Sequence, residues 1–280
     1  MFPPLFIPPP SPPESKTDLT QLEPTPAASL ATLSPRHTLY LTEATRLQSL
    51  FHPQIHILIG FETEWIRPAD YAPLVTTLAA DPRIDYVVGS VHHVHGVPID
   101  FDQAMYDQAV AASNNSEEAE LFEAYFDAQH EMLQALRPRV VGHFDLIRLF
   151  SAFEKQRDAL PPLAKHWPAV WEKVVRNLAF VLSYNGWLEL NTSALRKGLA
   201  DAYPMREIAV EWVRMGGEFT MSDDSHGIGQ VGTNYARGLG YLEELGVGEV
   251  WTLKRGEDGE VRERAVGVGE FRGSLKELDV

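Results

Sequence analysis

Short apolar runs that end in Glu, His or Asp recur along this chain, each set off by an amphipathic helical pattern, and this alternation limits the fold more than any other feature. The run ends are GFETEW (Gly60 to Trp65), GSVHHVHG (Gly89 to Gly96), GHFDL (Gly142 to Leu146) and SDDSHG (Ser222 to Gly227). Strands alternating with helices imply a mostly parallel sheet with helices outside. In a parallel α/β barrel the loops at the strand ends converge on one face while the strands hold their first residues rigidly, so acids and histidines there read as a site.

The periodicity predicts a helix over HTLYLTEATRLQSLF, a buried strand IHILIG ending at Glu62, a helix YAPLVTTLAADP and a strand IDYVVGSV delivering His92 and His93. From about Asp102 to Leu136 the pattern is helical, with a break at Ser113-Asn114-Asn115 and a cap signal at Ser116-Glu117-Glu118. Then follow the strand RVVGHFD, the helix WPAVWEKVVRNLAFVLS, the strand GWLELN, the helix MREIAVEWVRMGG and the strand EFTMS. With 280 residues and 44% hydrophobic content, one large core is expected, over residues 36–280. Residues 1–35, rich in Pro, Ser and Thr, read as a disordered tail, with PPPSPP as a possible SH3-type ligand.

A net charge of -15 argues against a sequence-independent hold on nucleic acid. Cys is absent, which excludes disulfides, zinc-thiolate sites and cysteine nucleophiles and fits a cytoplasmic chain. No apolar run approaches the roughly 20 residues of a membrane span, and the start lacks the pattern of a signal peptide.

Carboxylates with neutral imidazoles suit Zn, Mn or Fe. The candidate metal-binding and catalytic residues are Glu62, His92, His143, Asp224 and His226, and clustered metals at such a site suit hydrolysis of a phosphate monoester. Any one of them alone is more simply a packed or solvated side chain; their joint placement at strand ends carries the argument. Arg148, Arg196 and Lys197, just after GHFDL and LELNTS, are candidates for gripping a small-molecule phosphate ester. His95 and Asp145 are expected to support the ligands, Glu64 to be solvated, and His37, His52, His56, His130 and His166 to be ordinary packing or surface residues.

GFETEWI, VGSVHHVHGVPIDFDQ, GHFDLIRLF, LELNTSALRKG and FTMSDDSHGIGQVG together resemble the histidinol-phosphatases of the PHP (polymerase and histidinol phosphatase) superfamily, particularly the fungal type, from about His37 to Leu242. The resemblance implies a distorted (β/α)7 TIM-like barrel, a centre of up to three divalent metals, and hydrolysis of L-histidinol phosphate in histidine biosynthesis. It puts the family's Glu ligand on Glu62, the GSVH histidine on His92, the GH-x-D histidine on His143 and the S-D-x-H pair on Asp224 and His226.

The family also opens with an H-x-H pair and a further His in a phrase like LTEH. Here nothing before Glu62 has that pair, and LTEAT carries Ala44 in place of the His. Three ligands and about two strands are then missing, so the barrel is expected to be incomplete at its N-terminal side, with an exposed strand edge. The alternative readings are a non-catalytic PHP-like barrel that binds a small phosphate or a protein, and another PHP phosphoesterase or amidohydrolase-like enzyme.

Overall fold

The computed structural model describes residues 26–277. The expected Pro-rich tail and its PPPSPP motif lie outside them, apart from residues 26–35, which form the first turns of a helix, Pro26–Phe51. The strands are β1 (Gly60–Glu62), β2 (Tyr86–Gly89), β3 (His93–Val94), β4 (Val97–Pro98), β5 (Val140–Val141), β6 (Trp187–Asn191), β7 (Phe219–Ser222), β8 (Glu249–Arg255) and β9 (Val261–Gly267). Five of them form one sheet in the order β1-β2-β5-β6-β7, every neighbouring pair parallel. Strand order that follows chain order, with helical crossovers, is the winding of a barrel wall.

The wall is not closed by hydrogen bonds: among the described residues β1 and β7 are its edges. The antiparallel hairpin β8-β9, which sequence periodicity had not suggested, lies beside β7. It ties back across the open end, with Arg255 paired to Asp85 just before β2 and Trp251 packed on Trp187 at 5.9 Å between ring centroids. The interior between these strands is a cavity of 740 Å³.

The β1 edge is not left bare, contrary to expectation. The helix Pro26–Phe51 runs along it: Tyr40 Oη donates to the Gly60 carbonyl at 2.6 Å and Gln48 Nε2 to that of Ile57 at 2.7 Å, while Leu41 is fully buried. Covering an edge with a helix removes a template for unwanted strand pairing.

The outer face of the sheet is packed by the helices Glu118–Leu136 and Pro168–Ser183. Leu121, Phe122, Tyr125, Phe126, Met132 and Leu133 recur at helical spacing and are buried, as are Val170, Val174, Leu178 and Val181 on the second helix. Each such side chain contributes about 1.5–3 kcal/mol by leaving water. The break between Gln103–Ala112 and Glu118–Leu136 falls where the sequence predicts it, but Ser116 does not cap the second helix; its hydroxyl donates back to Ala111 O, and Glu117 is the N-cap.

Buried amides connect this layer to the strand ends. Asn177 Nδ2 donates to Phe126 O at 2.7 Å and to Gln129 Oε1 at 3.0 Å, and Gln129 Nε2 donates to Phe144 O at 2.8 Å. Polar groups this deep must be paired, and the last of these bonds fixes the GHFD turn that carries His143.

Candidate metal centre

Glu62 ends β1, His92 follows β2 and His143 follows β5, so three adjacent parallel strands deliver one side chain each to the same face. One ligand atom from each lies within 4.8 Å of the others. Glu62 Oε1 is 3.2 Å from His143 Nε2 and 3.7 Å from His92 Nε2, and it accepts a 2.7 Å hydrogen bond from Ser90 Oγ. The two imidazoles meet edge to face at 4.8 Å.

Local backbone geometry makes this convergence possible. A Cβ on Gly142 would sit 2.5 Å from Ser90 Oγ and 2.9 Å from Val88 Cγ1, so only glycine lets β5 approach β2 there. His143 then takes a positive φ of 22°, and its N–H is held by Glu189 Oε2 at 2.8 Å. Nδ1 of His143 is buried and has no hydrogen-bond partner. A carboxylate, two imidazoles and an unpaired buried ring nitrogen fit a divalent first-row ion.

Electrostatics organise the same cluster. Burial pushes the Glu62 carboxyl up, but the His143 hydrogen bond and the charges of His143 and His92 outweigh it and bring it down to about 2. Burial lowers His92, while Glu64 and more distant Asp100 and Glu62 raise it to about 10. Glu64 is not merely solvated, as expected from sequence: its two oxygens face His92 Nδ1 at 3.3 Å and His93 Nδ1 at 3.0 Å. A carboxylate on the far nitrogen of a ligand histidine fixes its tautomer and ring orientation.

Asp224 and His226 line the same 360 Å³ pocket but stay outside the three-residue cluster. Asp224 has a positive φ of 48°, and the His226 side chain is 76% exposed, with Nδ1 2.9 Å from the Asp224 carbonyl oxygen. Arg196 also lines the pocket, yet its guanidinium donates to the carbonyls of Asp223 at 2.9 Å and Asp224 at 3.0 Å, which fixes the SDDSHG loop. Lys197 lines the pocket exposed and, among the described residues, makes no ion pair.

Arg148 does not belong to the pocket, which corrects the sequence expectation. Its side chain is 1% exposed, bonded to Asp145 at 2.9 Å, Glu154 at 3.1 Å and the carbonyls of Asp201 and Ala202, and stacked on Tyr203. A guanidinium so enclosed does not reach the pocket lining. Asp145 correspondingly supports the turn through Arg148 and Met205 N, and His95 pairs with Ser113, both away from the cluster. Sequence reasoning missed Ser90, Asp100, Glu189 and Gln230; the first two stand inside the GSVHHVHGVPID stretch that already signalled a site.

Fold and site together define a parallel α/β barrel protein with an acid and imidazole cluster at its strand ends, of the kind that holds divalent metal. The PHP domain family model matches residues 35–193, and the chain belongs to that family. It is 42% identical over 220 residues to the protein named "Probable histidinol-phosphatase" of Schizosaccharomyces pombe, covering 79% of this chain and 70% of the relative. Histidinol-phosphatase of Saccharomyces cerevisiae is 38% identical over 177 residues, covering 58% of this chain and 52% of that protein. In fold the chain is similar to the crystal structure of histidinol phosphate phosphatase from Lactococcus lactis, complexed with zinc, L-histidinol and phosphate, with a TM-score of 0.56 at 18% identity over 80% of this chain and 79% of the other. Among the described residues no helix is long and apolar enough to cross a membrane.

Proposed function

We propose that the chain is a metal-dependent phosphomonoesterase that hydrolyses L-histidinol phosphate to L-histidinol and phosphate. The observation that carries this reading is the meeting of Glu62, His92 and His143 at the ends of three neighbouring parallel strands, within the segment the family model matches. The two fungal relatives named for this activity support the substrate.

Glu62, His92 and His143 would hold the ion, with Asp224 and His226 across the pocket. Zn, Mn or Fe bound there supplies positive charge for phosphoryl oxygens and acidifies water. Glu64 orients His92, Ser90 orients Glu62, and Glu189 fixes the His143 backbone. Arg196 holds the loop bearing Asp224, and Lys197 offers a free ammonium to the phosphate. The lack of cysteine supports a cytoplasmic setting.

Phosphate release from histidinol phosphate with Zn or Mn tests the reading. Activity is expected, and His143→Ala should reduce it by more than the roughly 10–100-fold that loss of an outer hydrogen-bond partner costs. No release with any divalent ion would overturn it in favour of a non-catalytic, phosphate-binding barrel. That second reading draws on one observation, the separation of Asp224 and His226 from the three-residue cluster.

A further inference from the structure

A second cavity, of 600 Å³, shares no lining residue with the metal pocket. One wall is the turn after the helix Pro26–Phe51, through His52 and His56; the other is the β8-β9 hairpin, through Lys254, Arg255, Arg262 and Arg264. Glu257 and Glu263 are the acids that line it. Four of the chain's 24 lysines and arginines gather here although the net charge is -15, so the positive charge is a local feature and not one of composition.

Strand register brings the cations together. Lys254 and Arg262 are direct partners across the antiparallel pair, and Arg264 stands two residues along β9, so the three side chains leave the same face of the hairpin. Like charges placed directly opposite one another destabilise a strand pair. Arg262 offsets this by pairing with Asp258 in the turn, and Arg264 pairs with Glu270 at 2.8 Å. Lys254 makes no ion pair among the described residues. Glu263 is held by Arg139, and Arg255 is held by Asp85 and the Gly259 carbonyl, which anchors this wall just before β2.

The ion pairs of Arg262 and Arg264 are open to exchange. All four side chains are half exposed or more, and pairs of that kind are worth at most about fivefold in an equilibrium constant. A phosphate offers a guanidinium two parallel charge-assisted bonds, and a chain of phosphates would answer Lys254, Arg262 and Arg264 together. His52 and His56 stand edge to face at 5.6 Å, and among the described residues neither ring forms a hydrogen bond. Their N–H groups add donors, and their faces offer a surface on which a flat ring can stack.

We propose that this cavity is a binding site for an oligophosphate, two or three linked phosphates with or without a nucleoside, distinct from the pocket in which a phosphomonoester would be cleaved. The proposal stands independently of the phosphatase reading, because no residue of the metal cluster takes part.

Tripolyphosphate and ATP are titrated calorimetrically into the full chain without added metal, at low and moderate salt. The parent is compared with Lys254→Gln, Arg262→Gln and Lys197→Gln. Lys254 and Arg262 are exposed, so their variants should unfold as cooperatively as the parent. Tripolyphosphate should bind the parent, less tightly as salt rises, and each hairpin variant should weaken it about tenfold while Lys197→Gln, in the metal pocket, leaves it unchanged. Absence of binding by the parent overturns the proposal. So does weakening by Lys197→Gln alone, which would put the anion in the metal pocket, or equal weakening by all three variants, which would reduce it to an effect of net charge. ATP separates the two sources of the phosphate chain. Tighter binding than tripolyphosphate, with the gain lost in His56→Ala, supports the site with a nucleotide as its ligand; equal affinity supports it with the free oligophosphate.

Discussion

At the residue scale, the same side-chain type serves opposite ends depending on what surrounds it. Arg148 and Arg196 both follow a strand end, yet Arg148 is locked between Asp145 and Glu154 and Arg196 holds loop carbonyls at the pocket wall. Replacing one partner of a buried ion pair leaves an uncompensated charge and costs about 3–5 kcal/mol. Arg148→Met should therefore lower unfolding free energy by that order in urea titrations. If any activity survives at lower temperature, its KM should be unchanged; a raised KM with intact stability would return Arg148 to the substrate site.

At the scale of elements, the helix Pro26–Phe51 determines whether the sheet edge is tolerable, and His37 reports on its docking. His37 lies 9% exposed against Phe61, with Nε2 unpaired. Burial is the largest influence and lowers its pKa below 6.5; Asp81 raises it and Arg83 lowers it further. The unfolded chain therefore takes up a proton before the folded one. The stabilisation is complete above 6.5 and is lost as pH falls through that value toward the lower folded pKa. Melting temperature should fall between about pH 7.5 and pH 5 more steeply for the parent than for His37→Phe; equal slopes would show that the helix end opens independently of this histidine.

For the whole molecule, the metal cluster joins β1, β2 and β5 at one point, so a bound ion should act on global stability. An ion at about 100 times its Kd adds roughly 2.7 kcal/mol, which for a domain of this size is a rise in melting temperature of several degrees, at roughly 2–4 °C per kcal/mol. Zinc titration followed by scanning calorimetry checks this, with reversal by chelator. His143→Ala should lose most of the shift, whereas an unchanged shift would place the ion elsewhere.

The sequence by itself determined the alternation of strands and helices, the parallel sheet, and Glu62, His92 and His143 at strand ends. These follow from local periodicity and from the rule that a parallel strand presents its last residues to one face. Only the tertiary structure decided how the other polar residues are used. Burial of Arg148, the pairing of Glu64 with two histidines and the anchoring of His143 by Glu189 all join residues far apart in sequence or turn on which face of a loop points inward. The covering of the β1 edge by a helix and the return of β8-β9 beside β7 are likewise long-range choices. Hydrophobic patterning fixes which side of an element is buried, but not which distant element buries it.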